Sequence, residues 1–114
     1  MGDLREVNLE LGKPVVKDAI QRLTFEISRC KVTRIAVLKI IHGYGSTGAG
    51  GKIRVEARGL LDRLKKRGEI RGYIPGERFS IFDGETLTAL SRCDALRKDR
   101  DLERHNNGVT YILF

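Results

Sequence analysis

Residues 40–54 hold the chain's densest set of groups able to do chemistry. They read Ile40-Ile41-His42-Gly43-Tyr44-Gly45-Ser46-Thr47-Gly48-Ala49-Gly50-Gly51-Lys52-Ile53-Arg54. An apolar run ends in a histidine, five glycines fall within residues 43–51, and two cations follow. Glycines let a backbone approach an anion closely, and a helix N-terminus supplies unpaired N–H groups and partial positive charge. Three phosphate-binding patterns compete. The nucleotide P-loop needs a glycine five residues before Gly51 and a hydroxyl after Lys52, where the chain has Ser46 and Ile53. That pattern is excluded. The dinucleotide fingerprint fits the glycine spacing of Gly43, Gly45 and Gly48, but it belongs to a first strand–helix unit and needs an acid ending the next strand. Here the unit is the second and the next strand ends at Ile74-Pro75-Gly76. What remains is a generic anion cradle or a plain surface loop before a basic helix. Lys52 and Arg54 oppose the helix dipole, a small penalty that a bound anion would offset.

The second reactive position lies upstream. Val7-Asn8-Leu9-Glu10-Leu11 alternates like a strand, with Asn8 and Glu10 on one side. Were the bound anion a phosphodiester, its cleavage would need an activated nucleophile, charge neutralisation on phosphate and protonation of the leaving oxygen. Glu10 and His42 are the catalytic candidates, as base or metal ligand and as acid or phosphate contact. Asn8 cannot ionise, and one carboxylate makes a poor metal site, so a divalent metal enters only with a nuclease reading. Otherwise no cofactor is expected. Binding alone asks for less: the glycine backbone, Lys52, Arg54 and Arg58, and Tyr44 as a platform for an unpaired base.

The elements that must position these groups follow from periodicity. Gly12-Lys13-Pro14 stops the first strand, and Val16, Ala19, Ile20, Leu23, Ile27 and Cys30 form a helical stripe. Residues 35–41 are nearly continuously apolar, as a strand covered on both faces should be. A second stripe runs through Ile53, Ala57, Leu60, Leu61 and Leu64 to a stop at Gly68, with Gly59 either weakening that helix or marking close packing on the sheet. A third strand spans 70–74, a third helix 85–98, and Asn106-Asn107-Gly108 turns into a last strand at 109–114. The reading is an α/β chain of βαβαββ order: a mixed four-stranded sheet, two main helices and a helical insertion at 77–107. If the first two strands are parallel neighbours, Glu10 and His42 line one sheet edge, where open α/β sheets bind ligands.

The composition agrees with a single domain spanning residues 1–114. The 114 residues are 40% apolar and carry a net charge of +7. Residues 52–71 hold eight bases and three acids, whereas 84–107 hold five of each. A field concentrated behind the glycine loop favours a polyanionic partner. No apolar run approaches the roughly 20 residues of a membrane span, so the expectation is a soluble cytoplasmic protein. Cys30 and Cys93 are read as small buried hydrophobes rather than a disulfide or zinc site.

Residues 40–45, the glycine-rich turn and Lys52-Ile53-Arg54 together resemble the His-Gly-x-Gly motif of the Smr (small MutS-related) domain family. The element order matches too, as does Gly108-Val109-Thr110 opening the last strand. The likeness covers residues 6–76 and 108–114. It implies a small α/β domain, related in architecture to the C-terminal domain of a bacterial translation initiation factor, that binds nucleic acid. Several members of that family nick DNA or cleave RNA. The resemblance thus puts His42, Gly43 and Gly45 at a nucleic-acid surface with Lys52 and Arg54 beside them. Nuclease-competent members carry Asp and His in a first-strand Leu-Asp-x-His motif; here those positions are Asn8 and Glu10. The alternatives are a module for a small phosphorylated ligand, or one that docks on a protein or ribosome through 77–107.

Overall fold

A computed structural model describes residues 2–43 and 50–114. In chain order the elements are β1 (Leu4–Asn8), α1 (Val16–Val32), β2 (Val37–Ile41), α2 (Gly50–Lys66), β3 (Gly72–Pro75), α3 (Gly84–Arg92) and β4 (Val109–Leu113). The sheet order is β1-β2-β4-β3. β1 and β2 are parallel, with Asn8 opposite Ile41, and β4 runs antiparallel to both β2 and β3. The expected mixed four-stranded sheet in βαβαββ order is therefore present.

Alternation along β2 explains why the sheet needs cover on both sides. Leu38 and Ile40 point into a core with Leu23, Ile27, Ile53, Ala57 and Leu61 from α1 and α2. Val37 points the other way, into a second core with Phe79, Leu90, Leu96 and Tyr111, where α3 and the following 3₁₀ turn (Asp94–Lys98) lie. The helical insertion expected at 77–107 thus forms a third layer. Cys30 and Cys93 are buried in different cores and are free thiols.

Lys39 also faces this third layer and is fully buried. Its ammonium sits 2.9 Å from Asp99 and 2.6 Å from Asp101, with Glu6 at 3.7 Å. The Tyr111 hydroxyl donates to Asp99 at 2.7 Å and Asn106 donates to Asp101 at 3.0 Å. A charge buried in the sheet is tolerated because Asp99 and Asp101 both accept from the ammonium and are themselves hydrogen-bonded.

Several boundaries differ from the sequence reading. The first strand ends at Asn8, not Leu11, because the Asn8 side chain accepts the Glu10 N–H at 2.8 Å and the Glu10 carbonyl accepts the Lys13 N–H. Glu10 therefore sits in the turn after β1. The single helix expected over 85–98 breaks at Cys93, which is extended (φ −143°, ψ 93°), into α3 and the 3₁₀ turn. Asp83 starts α3 as an N-cap, accepting the Thr86 N–H at 2.9 Å.

Gly59 does not mark close packing. A methyl there would meet only the end of the Arg63 side chain, at 3.7 Å. Gly76 is the opposite case, since a methyl would fall on the Asn106 carbonyl and the Val109 side chain and backbone. Gly59→Ala should therefore stabilise the fold by about 0.5–1 kcal/mol. Gly76→Ala should destabilise it by about 1–3 kcal/mol. Urea denaturation of both variants checks this; equal effects would show that neither glycine reads its surroundings this way.

Candidate nucleic-acid interface

The parallel pairing of β1 and β2 places their C-terminal ends side by side, and the Leu9 N–H continues the ladder to the Ile41 carbonyl at 2.8 Å. The chain after β1 carries Glu10, and the chain after β2 carries His42 and Gly43. A methyl added at Gly43 would run into the Glu10 carboxylate, so that carboxylate lies over Gly43. Gly43 has φ +76°, which explains the glycine. Glu10 and His42 thus meet at one sheet edge, as the parallel pairing requires. Tyr44 and Gly45 lie outside the described residues.

The start of β4 closes the edge from the other side. The Gly108 carbonyl accepts both the His42 N–H (2.9 Å) and the Gly43 N–H (3.0 Å). His42 itself is fully buried. Its Nδ1 lies 2.7 Å from the Gly43 carbonyl, and its Nε2 2.8 Å from the Thr110 hydroxyl. A carbonyl only accepts, so Nδ1 carries the proton and Nε2 accepts from Thr110. Arg58 Nε in turn donates to the Thr110 oxygen at 3.2 Å. The relay runs one way, from Arg58 through Thr110 and His42 to the Gly43 carbonyl.

Protonating His42 would set a second donor against an oxygen that already accepts from Arg58. Burial, reinforced by the Arg58 and Arg54 charges, outweighs the bond to the Gly43 carbonyl and lowers the His42 pKa to about 4. At neutral pH the ring is uncharged. It holds the loop base and has no exposed nitrogen to offer a leaving oxygen.

α2 brings the cations to the same edge. Lys52 is exposed and Arg54 partly so. Arg58, one turn on from Arg54, is engaged: Nη1 and Nη2 each donate to Glu77 at 2.9 Å, and Nη2 also reaches the Val109 carbonyl at 3.4 Å. Burial alone would raise the Glu77 pKa, but the Arg58 guanidinium holds the carboxyl below its usual range. Among the described residues, no group of three or more His, Cys, Asp or Glu is placed to hold a metal ion.

Compared with solved structures, the chain is similar to the Smr domain of Thermus thermophilus MutS2. The TM-score is 0.57 over 96% of this chain and 95% of that one, at 19% sequence identity. The fold is Smr-like. No family model and no curated protein matches the sequence. Among the described residues, no helix is long and apolar enough to cross a membrane.

In this Smr-like fold the edge contains three residues that sequence reasoning did not single out as functional. Gly108 and Thr110 belong to the Gly-Val-Thr opening of β4, a visible signal whose role becomes clear only when β4 lies beside β2. Glu77 had no sequence signal. It is the first residue of the 77–107 segment, and only its bidentate contact gives it a role.

Proposed function

We propose that this chain is a nucleic-acid-binding Smr-like domain that grips the sugar-phosphate backbone with Lys52 and Arg54 at the edge marked by Gly43, with Arg58 behind them on α2. The observation that carries the reading is the convergence of the basic N-terminal half of α2 with the post-β1 and post-β2 turns at one sheet edge. Sugar-phosphate backbones are bound chiefly by cationic side chains of this kind. His42 acts here as a positioning residue: its bonds to Gly43 and Thr110 fix the turn that faces the backbone. Tyr44 is the sequence's candidate for a base-stacking platform; it and Gly45 lie outside the described residues.

Binding is favoured over cleavage because the His42 ring is neutral and both its nitrogens are engaged. Weak endonuclease activity, where found, would then rest on Glu10 with a divalent metal, and not on proton donation by His42.

The test is fluorescence anisotropy with single- and double-stranded RNA and DNA across a salt series, with and without magnesium. Affinity should fall linearly in log–log terms. Lys52→Ala and Arg54→Ala should each flatten the slope by about 0.7–0.9. Salt-independent binding, or stabilisation by a small phosphorylated compound with no oligonucleotide response, would sink the reading.

A further inference from the structure

The Arg58–Glu77 contact has an asymmetry. The guanidinium is anchored from below, by Nε to Thr110 and by Nη2 to the Val109 carbonyl, without help from Glu77. Its outer edge then donates two parallel bonds to a carboxylate, the geometry with which arginine also binds phosphate. The Glu77 side chain is 41% exposed and the Arg58 side chain 18% exposed, so solvent and solutes reach the pair. Glu77 can leave while the fork stays aimed outward.

We propose that Glu77 is the specificity-determining residue of this face, standing in the Arg58 fork as a carboxylate substitute for phosphate, so that the fork opens to a terminal phosphomonoester of a nucleic-acid strand and stays closed to an internal phosphodiester. This rests on the nucleic-acid reading above. An internal phosphodiester carries one negative charge. Exchanging it for Glu77 trades one singly charged bidentate acceptor for another and leaves the displaced carboxylate beside a like charge. A terminal phosphate carries about −1.5 to −2 at pH 7 and a third acceptor oxygen, so it outcompetes the carboxylate. Lys52 and Arg54, in the preceding turns of α2, would follow the strand away from its end.

The experiment measures binding of the whole chain to one oligonucleotide made with a 5′-phosphate, a 3′-phosphate or hydroxyl ends, with a nucleoside monophosphate as competitor. Wild-type protein should bind at least one phosphate-ended strand about tenfold more tightly than the hydroxyl-ended one, the size of one charge-assisted hydrogen bond. Glu77→Gln should tighten binding of the hydroxyl-ended strand and shrink the ratio towards one; Arg58→Gln should abolish the preference without tightening. Melting curves establish that both variants fold, and the wild-type comparison needs neither. Wild-type binding equally tight to all three strands overturns this inference and leaves backbone binding standing. So does a ratio that survives Glu77→Gln. A mononucleotide that competes as well as the phosphate-ended strand overturns the strand-end assignment. No binding of any strand by wild type or variant overturns both readings.

Discussion

Replacing Lys39 by methionine should destabilise the fold by about 3–5 kcal/mol, the usual effect of removing one partner from a buried ionic cluster. The ammonium is fully buried and is the cation between Asp99 and Asp101, whose side chains are 6% and 11% exposed. Methionine fills a similar volume, so the loss would come from stranded carboxylates rather than from a cavity. The sign of the pH dependence separates these causes. In the wild type, burial would raise the Asp101 pKa, but bonds from Lys39 and Asn106 hold it below its usual value. That contribution to stability is present above the unfolded carboxylate pKa and is lost as pH falls through the lower folded value. Without Lys39 the burial that acts on Asp101 goes unopposed by that cation, so the variant is penalised most at neutral pH and least in acid. Urea denaturation at pH 7 and pH 4.5 should therefore show the gap narrowing. Adding Asp99→Asn and Asp101→Asn to Lys39→Met should recover much of the loss. A pH-independent gap, or one below about 1 kcal/mol, would mean that the charges do not hold the third layer in place.

This cluster matters to the site because the segment it fastens delivers Glu77 and Gly108. Lys39 ties residues 99–101 to β2, Tyr111 ties them to β4, and Phe79 stacks on Tyr111 at 4.1 Å between ring centroids. Both ends of the segment return to the edge where His42 lies. Loosening the third layer should therefore be felt first at the Glu77–Arg58 pair and at the Gly108 carbonyl under His42 and Gly43.

The helices and central strands were legible because their apolar residues repeat with a period that physics demands. Ile53, Ala57 and Leu61 on α2 are buried as their spacing requires. The parallel neighbours β1 and β2 followed from a crossover argument, and so did the shared edge of Glu10 and His42. Local polar competition was not legible. Asn8 alternates with its neighbours as a strand residue would, yet its side chain takes the Glu10 N–H and ends the strand. The third layer was hidden for a different reason. Residues 35–41 read as a strand covered on both faces, but the partners that let Lys39 be buried there lie 60 positions away and leave no local signal. Arg58 was likewise readable as a cation on a basic helix. Its occupation by Glu77 depends on the path of the segment, which periodicity does not encode.

The other large expected effect comes from His42. Its folded pKa of about 4 lies below the ordinary 6.5, so the unfolded chain binds a proton more readily than the folded one. Stability from this group is complete above pH 6.5 and is lost as pH falls from there through the folded value, by about 3 kcal/mol at pH 4. His42→Gln removes the titration, so its stability curve should be flatter by about that amount over the same range, whatever its absolute stability. A direct NMR titration should show the ring protonating near pH 4, with the Nδ1 proton present at pH 7. A midpoint between 6 and 7 would instead mean that the ring reaches solvent, and would restore His42 as a proton donor for cleavage. The distinction reaches function through Gly43. A neutral, doubly bonded ring pins the Gly43 carbonyl inward, leaving that glycine's Cα under the Glu10 carboxylate at the mouth of the edge. Protonation turns Nε2 into a donor, so the Thr110 hydroxyl must turn its own proton elsewhere and the relay changes direction there. On the proposed nucleic-acid reading, affinity should then depart from the simple salt law only below pH 5, as the support of the Gly43 turn changes.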